Sequence, residues 1–286
     1  MPATLMEINR STSVAVKILH PQFKANASIL SQIKREASLM IQLRSPFVVA
    51  CYGLSDNGSM IVMERMTHGS LSHRIETTPH LLSSVEEKLQ FGIDIIRGLE
   101  YLHQRGVIHA DVKSPNVLLT DSGNGSLRAK LSDFGLSHVL WSGDETTSPL
   151  VGMSYRWAAP ELLVPLTAHL SKAADMYAYG VILWELFALQ KPLKDLSGFA
   201  LVSVVLGGQR DPIPPDVAPD LRGIITQCWN VDRNRRPSAT AVRLLLLEHC
   251  KQFVIGRNKA NLGSVEAKQQ DDSSILKARM YNSITL

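Results

Sequence analysis

Apolar and polar positions change their rhythm twice along this chain of 286 residues. Near the start, Ser13-Val-Ala-Val-Lys-Ile-Leu19 is apolar and β-branched, with Lys17 as its lone charge, and predicts a strand. From Ala27 to Leu43 the period lengthens. Ile29, Leu30, Ile33, Ala37, Met40 and Ile41 recur at helical spacing, Lys34, Arg35 and Glu36 lie between them, and Pro46 follows the end. Two further strands are predicted at Val48–Leu54 and Met60–Met66, separated by the turn Asp56-Asn-Gly58. Residues 1–66 therefore read as a small, mostly β piece with one helix.

After Gly69 the pattern is helical. Ser84 to Arg105 is amphipathic, with Glu86 and Glu87 in its first turn and Gly106 just past its end. Asn116–Leu119 and Ala129–Leu131 predict a hairpin around Asp121-Ser-Gly-Asn-Gly125. Ala173–Leu189 is apolar nearly all round, which predicts a buried central helix. Further helices fit Phe199–Leu206, Pro219–Trp229 and Ser238–Lys251. Beyond about Gly256, Lys, Gln, Asp and Ser dominate, so residues 251–286 read as a polar, poorly ordered tail. The whole is an α+β chain, β-rich over 1–66 and mainly helical over 67–250.

Composition narrows the class. Apolar residues make up 45% and charged residues 20%, a globular balance. The net charge of +4 is mild and shows no basic stripe along the sequence, so no nucleic-acid partner is expected. Cys51, Cys228 and Cys250 are odd in number and have no metal-ligand spacing, which favours a reducing compartment. The first residues lack a signal-peptide order. The longest apolar stretch, Ala178–Leu189, carries Glu185 and falls short of the roughly 20 residues that cross a bilayer. The expectation is a soluble, cytoplasmic protein without membrane insertion.

The chemistry concentrates in His109-Ala-Asp-Val-Lys-Ser-Pro-Asn116, followed by Asp133-Phe-Gly135. Asp111 is a candidate base, Lys113 a cation, and Asn116 and Asp133 are candidate metal ligands. Such a grouping suits phosphoryl transfer, where catalysis is mostly positioning and neutralisation of spread negative charge.

In order and spacing these motifs resemble the eukaryotic protein kinase domain, from about Val14 to about Cys250. The resemblance implies a two-lobed fold, a small mostly β N-lobe and a large helical C-lobe, with ATP and Mg²⁺ as cofactors. It implies that Lys17 grips the α- and β-phosphates while Glu36 holds it extended. Asp111 orients the substrate hydroxyl, Lys113 neutralises the moving phosphate, and Asn116 and Asp133 hold Mg²⁺. Ala15 and Leu118 sandwich adenine, Met63 precedes the hinge, and Glu64 to Met66 supply backbone groups to its edge. His109, Phe134 and Met40 pack as a core stack. Glu161 pairs with Arg236, and Asp175 braces the catalytic loop through its backbone. Lys113 with Ser114-Pro115, and Ser154, resemble the serine/threonine pattern, while Trp157-Ala-Ala-Pro-Glu161, Ile182-Leu-Trp-Glu185 and Cys228-Trp229 look most like the tyrosine-kinase-like group. Its members mainly phosphorylate protein Ser and Thr. A small-molecule phosphotransferase would share the Asp and Asn pattern, but Ala159-Pro-Glu161 favours a protein substrate.

Two departures stand out. Only Met1 to Ser13 precede the Lys17 strand, and they hold no glycine. A return strand at Leu5–Arg10 is expected, with no first strand or glycine-rich phosphate cover before it, which would expose a sheet edge. Three readings stay open: an incomplete copy of an active kinase, a nucleotide-weak pseudokinase acting as a scaffold, or a slow enzyme without a lid. The second departure is Ala110, where many kinases carry an arginine that receives an activation-loop phosphate. Phosphates on Thr146, Thr147 or Ser148 would then find no receptor there.

Overall fold

The computed structural model describes residues 2–7, 10–18, 34, 37–55, 58–123, 125–133, 138–139, 146–147, 154–164 and 169–253. Of residues 2–7, 10–12, 138–139 and 146–147 it describes the backbone alone. Two compact units divide the chain, Met1–Arg243 and Leu244–Leu286. The second is helical over 244–253.

In the first unit, β1 (Pro2–Glu7), β2 (Arg10–Ile18), β3 (Cys51–Leu54) and β4 (Met60–Glu64) form one antiparallel sheet in the order β1-β2-β4-β3. β1 lies three residues earlier than the expected Leu5–Arg10. Glu7 pairs with Arg10, so Arg10 opens β2. β1 is an edge strand, as expected of the return strand. In the core of the sheet Lys17 pairs with Ile61 and Ala15 with Met63. β4 stops at Glu64 rather than Met66. The ladder of β3 starts only at Cys51, and Val48 instead bridges to Leu131. Residues 37–42 are helical, with Ala37 and Met40 buried. The helix stops before the buried Leu43, and residues 27–33, 35 and 36 of the predicted 27–43 helix lie outside the described residues.

The helical part begins with α1 (Leu71–Thr77), too short for its period to show in the sequence; the Ser70 hydroxyl caps it by accepting the His73 N–H. Ser84 caps α2 (Val85–Gln104) through Glu87 N–H, and Ser171 caps α3 (Lys172–Ala188) through Ala174 N–H. Every residue of α3 from Ala174 to Leu186 is buried, as an all-round apolar helix requires. α4 (Gly198–Leu206) and α5 (Pro219–Cys228) follow. Contact between α3 and α5 depends on Gly180: a Cβ there would stand 2.7 Å from Cys228 Cβ and 3.0 Å from Trp229 N.

Short antiparallel pairs frame the site. β5 (Val107–Ile108) pairs with β8 (His138–Val139), and β6 (Val117–Asp121) with β7 (Leu127–Leu131). β9 (Thr146–Thr147) pairs with β10 (His169–Leu170). The 43–50 loop joins β7 through Val49 N–H to Leu131 O and Leu131 N–H to Phe47 O, at 2.8 and 2.9 Å. The predicted pair of Glu161 and Arg236 forms: two parallel bonds of 2.6 and 2.8 Å, with the Arg236 side chain 0% exposed.

Candidate active site

The loop from His109 to Asn116 is shaped from beneath. Asp175, buried on the first turn of α3, accepts the backbone N–H groups of His109 and Ala110, each at 2.9 Å, and the ring Nε2–H of His103 at 2.8 Å. Ala110 has φ +66°, a left-handed conformation that costs an alanine on the order of 1 kcal/mol. The charge-assisted bonds to Asp175 hold it there. His109 is fully buried. Its Nδ1 accepts the Asp111 N–H at 3.3 Å, so its Nε2–H donates to Ser132 O at 3.1 Å. Burial pushes this imidazole below its ordinary range, against the pull of Asp175 and Asp111, in keeping with a neutral ring in one tautomer.

On that support three predicted residues meet. Lys113 Nζ lies 2.7 Å from Asp111 Oδ2 and donates to Ser154 Oγ at 2.8 Å. Asn116 Nδ2 donates to Asp111 O at 2.9 Å and to Asp111 Oδ2 at 2.8 Å. Both amide hydrogens are thereby used, and the Asn116 Oδ1 is left as its acceptor. Pro115, in the first turn where its missing N–H costs nothing, sits within the 3-10 turn Ser114–Asn116 that carries the asparagine. Ser132 N–H and Oγ–H both donate to Asn116 O at 2.9 Å, tying this turn to the residue before Asp133.

Asp133 has φ +60°, and its Oδ1 receives Lys17 Nζ at 2.6 Å. Burial alone would raise its pKa; the Lys17 ammonium, with Lys113 and His109 behind it, outweighs burial and holds the carboxyl below the usual range. An ionised carboxylate and a free amide oxygen are hard donors. Among the described residues no group of three or more His, Cys, Asp or Glu could hold a metal ion. Two protein oxygens fit Mg²⁺, which keeps waters and substrate phosphates in its shell, better than a cation needing a full protein cage.

Lys17, Asn116 and Asp133 line the polar end of a cavity of ≈ 340 Å³. Ala15, Met40, Val49, Met63, Met66 and Leu118 are among its apolar walls. Glu64 also reaches this cavity, but its carboxylate turns to Lys130 Nζ at 2.5 Å and to Ala50 N–H at 3.2 Å. Its own N–H donates to Ala50 O at 2.8 Å. Glu36, Phe134 and Ser148 lie outside the described residues, and of Thr146 and Thr147 only the backbone is described.

One group escaped the sequence reading. Glu185, on α3, accepts Ser114 Oγ–H at Oε1 and Trp157 Nε1–H at Oε2, both at 2.7 Å. It therefore joins the Asp111–Asn116 loop to the segment that follows Ser154. Burial drives its pKa up to about 8 although both partners favour the charged form. The signal was a single carboxylate in an otherwise apolar run, which needs a buried partner.

Fold and site match the plan of a protein kinase domain. Residues 3–246 match the family described as protein tyrosine and serine/threonine kinase, and the chain belongs to that family. Among its relatives is Serine/threonine/tyrosine-protein kinase HT1 of Arabidopsis thaliana, 32% identical over 84% of this chain and 61% of that protein. Serine/threonine-protein kinase CTR1 of the same plant is 32% identical over 88% of this chain and 30% of its own length. Probable serine/threonine-protein kinase drkD of Dictyostelium discoideum is 32% identical over 80% and 17%. The chain thus spans less than two thirds of these curated relatives.

Proposed function

We propose that this domain transfers the γ-phosphoryl group of ATP, with Mg²⁺, to serine or threonine hydroxyls of a protein. Asp111 receives the hydroxyl proton, its Oδ2 fixed by Lys113 and Asn116. Lys113, bridging Asp111 and Ser154, offsets charge between base and phosphate. Lys17 exchanges Asp133 for phosphate oxygens, with Glu36 as its partner. Mg²⁺ held by Asp133 and Asn116 would neutralise the phosphates. Adenine lies between Ala15 and Leu118, past Met63, with its polar edge toward the Glu64 carbonyl and the Met66 backbone. Residues 1–66 and 67–250 act as the two lobes about this cavity, and 251–286 as a tail. All three cysteines are free thiols, which supports an intracellular setting, and among the described residues no helix is long and apolar enough to cross a membrane.

The observation that carries this reading is the bonded set of Asp111, Lys113 and Asn116 beside the Lys17–Asp133 pair, with Asn116 shared by the cavity. The alternative is a nucleotide-weak domain that serves as a scaffold. Thermal melting with Mg·ATP, alongside phosphate transfer to a generic protein, separates the two. The enzyme reading expects a melting shift and transfer, both lost in Asp133→Asn, with transfer alone lost in Asp111→Asn. No shift with nucleotide supports the scaffold, and product containing phosphotyrosine alone overturns the serine/threonine assignment.

A further inference from the structure

A second concentration of charge lies on the face that α2 shares with the 43–50 loop, and none of its residues lines the nucleotide-sized cavity. Arg97, Tyr101 and Arg105 follow one another at four-residue spacing on and just past α2, so they form one stripe. The Arg97 guanidinium lies 5.3 Å from the Phe47 ring centre, and that of Arg105 3.8 Å from the Tyr101 ring. Tyr101 Oη accepts the Arg44 N–H at 2.7 Å, which brings Arg44 to the same place. Arg128 also lies over Phe47, at 5.8 Å, but it is bound through two bonds to the buried Asp94. Glu100, the nearest carboxylate along the helix, is held by Arg243 at 2.7 Å. Among the described residues no carboxylate comes within ion-pair distance of Arg44, Arg97 or Arg105.

We propose that this face docks an extended acidic segment of a protein partner. Stacking on fixed rings holds two of the guanidiniums in place, so little side-chain freedom is lost on binding. From Arg97 to Arg105 the helix rises about 12 Å, the reach of three or four residues of extended chain at about 3.3 Å each. Carboxylates on alternate residues would meet successive arginines, the recognition mode of acidic motifs by arginine clusters. A single phosphate would need the guanidiniums to converge, whereas Arg97 and Arg105 are anchored on different rings. Nucleic acid fits less well: both rings are already covered by guanidinium, and three unpaired cations give a small electrostatic footprint. The docking face stands whether or not the domain transfers phosphate.

The test is fluorescence anisotropy of a labelled peptide of alternating Glu and Ser, titrated with the full chain at low and high salt. Arg97→Gln/Arg105→Gln should weaken binding about tenfold at low salt, while the exposed control Lys194→Gln binds as the parent does. Binding should also fall as salt rises. Arg44→Gln, at an exposed side chain, should weaken binding about threefold and serves if the double variant fails to fold. Unchanged affinity in the arginine variants overturns the proposal. So does tighter binding of a neutral peptide carrying one phosphoserine, or of a single-stranded oligonucleotide of equal charge.

Discussion

Replacing Glu161 by leucine tests the energetics of the helical part most directly. Arg236 is 0% exposed in its side chain and Glu161 17%. The guanidinium also donates to Ala173 O at 3.0 Å and to Asn230 O at 2.8 Å. Glu161→Leu leaves a cation in the interior with carbonyls alone, a loss of about 3–5 kcal/mol for a buried pair stripped of one partner. Arg236→Leu leaves a carboxylate that retains some access to water, so its charge penalty is smaller, though three backbone carbonyls lose a donor. In Glu161→Leu/Arg236→Leu no lone charge remains, and part of the loss returns. A double-mutant cycle by urea unfolding measures this. With a slope of about 3 kcal/mol/M, a 4 kcal/mol loss moves the midpoint by roughly 1.3 M. A Glu161→Leu loss under about 1 kcal/mol, the range of an exposed ion pair, or strict additivity in the cycle, would refute the reasoning.

Glu185 makes stability depend on pH. Its folded pKa, raised from the ordinary 4.5 to about 8, means the folded protein keeps a proton that the unfolded chain has lost across that window. Stability contributed by this group therefore falls as pH rises, by up to about 1.4 kcal/mol per unit. Glu185→Gln should gain on the parent between pH 5.5 and 8 in urea midpoints, and a pH-independent difference would show that the acid is already ionised in the fold. Gly180→Ala should lower stability by about 1–3 kcal/mol through overpacking at Cys228, despite the better helix propensity of alanine; calorimetry that shows a higher melting temperature contradicts the close approach of α3 and α5. Alanine or aspartate at Thr146, Thr147 or Ser148 should leave turnover within about twofold, because Ala110 offers no guanidinium to a phosphate there; a large change in a transfer assay would reveal another receptor.

The helices show where local signals suffice. Ser84 and Ser171 stop helix growth where the apolar period begins, and both cap with their hydroxyls. The unbroken apolar run of α3 required burial on every side and received it. Asp111, Lys113 and Asn116 fall within six residues, so the geometry of one loop and one 3-10 turn brings them together. β1 lies three residues earlier than expected because its pairing with β2 sets its register. α1 has only Leu71 and Ile75 buried, too few positions to reveal a period.

What the linear order of residues decided by itself was therefore whatever depends on near neighbours: helix ends, the buried character of α3, and the contiguous catalytic loop. Folding alone decided which distant groups meet. Lys17 finds Asp133 across 116 positions, Glu185 finds Ser114 and Trp157 across 71 and 28, and Arg97 of α2 and Arg128 of β7 both reach Phe47 of the 43–50 loop. Hydrophobic packing is non-directional and sets which surfaces meet, so no local pattern encodes those pairs. The cost of burying an unpaired charge then selects, among the possible packings, those in which each charge has its partner.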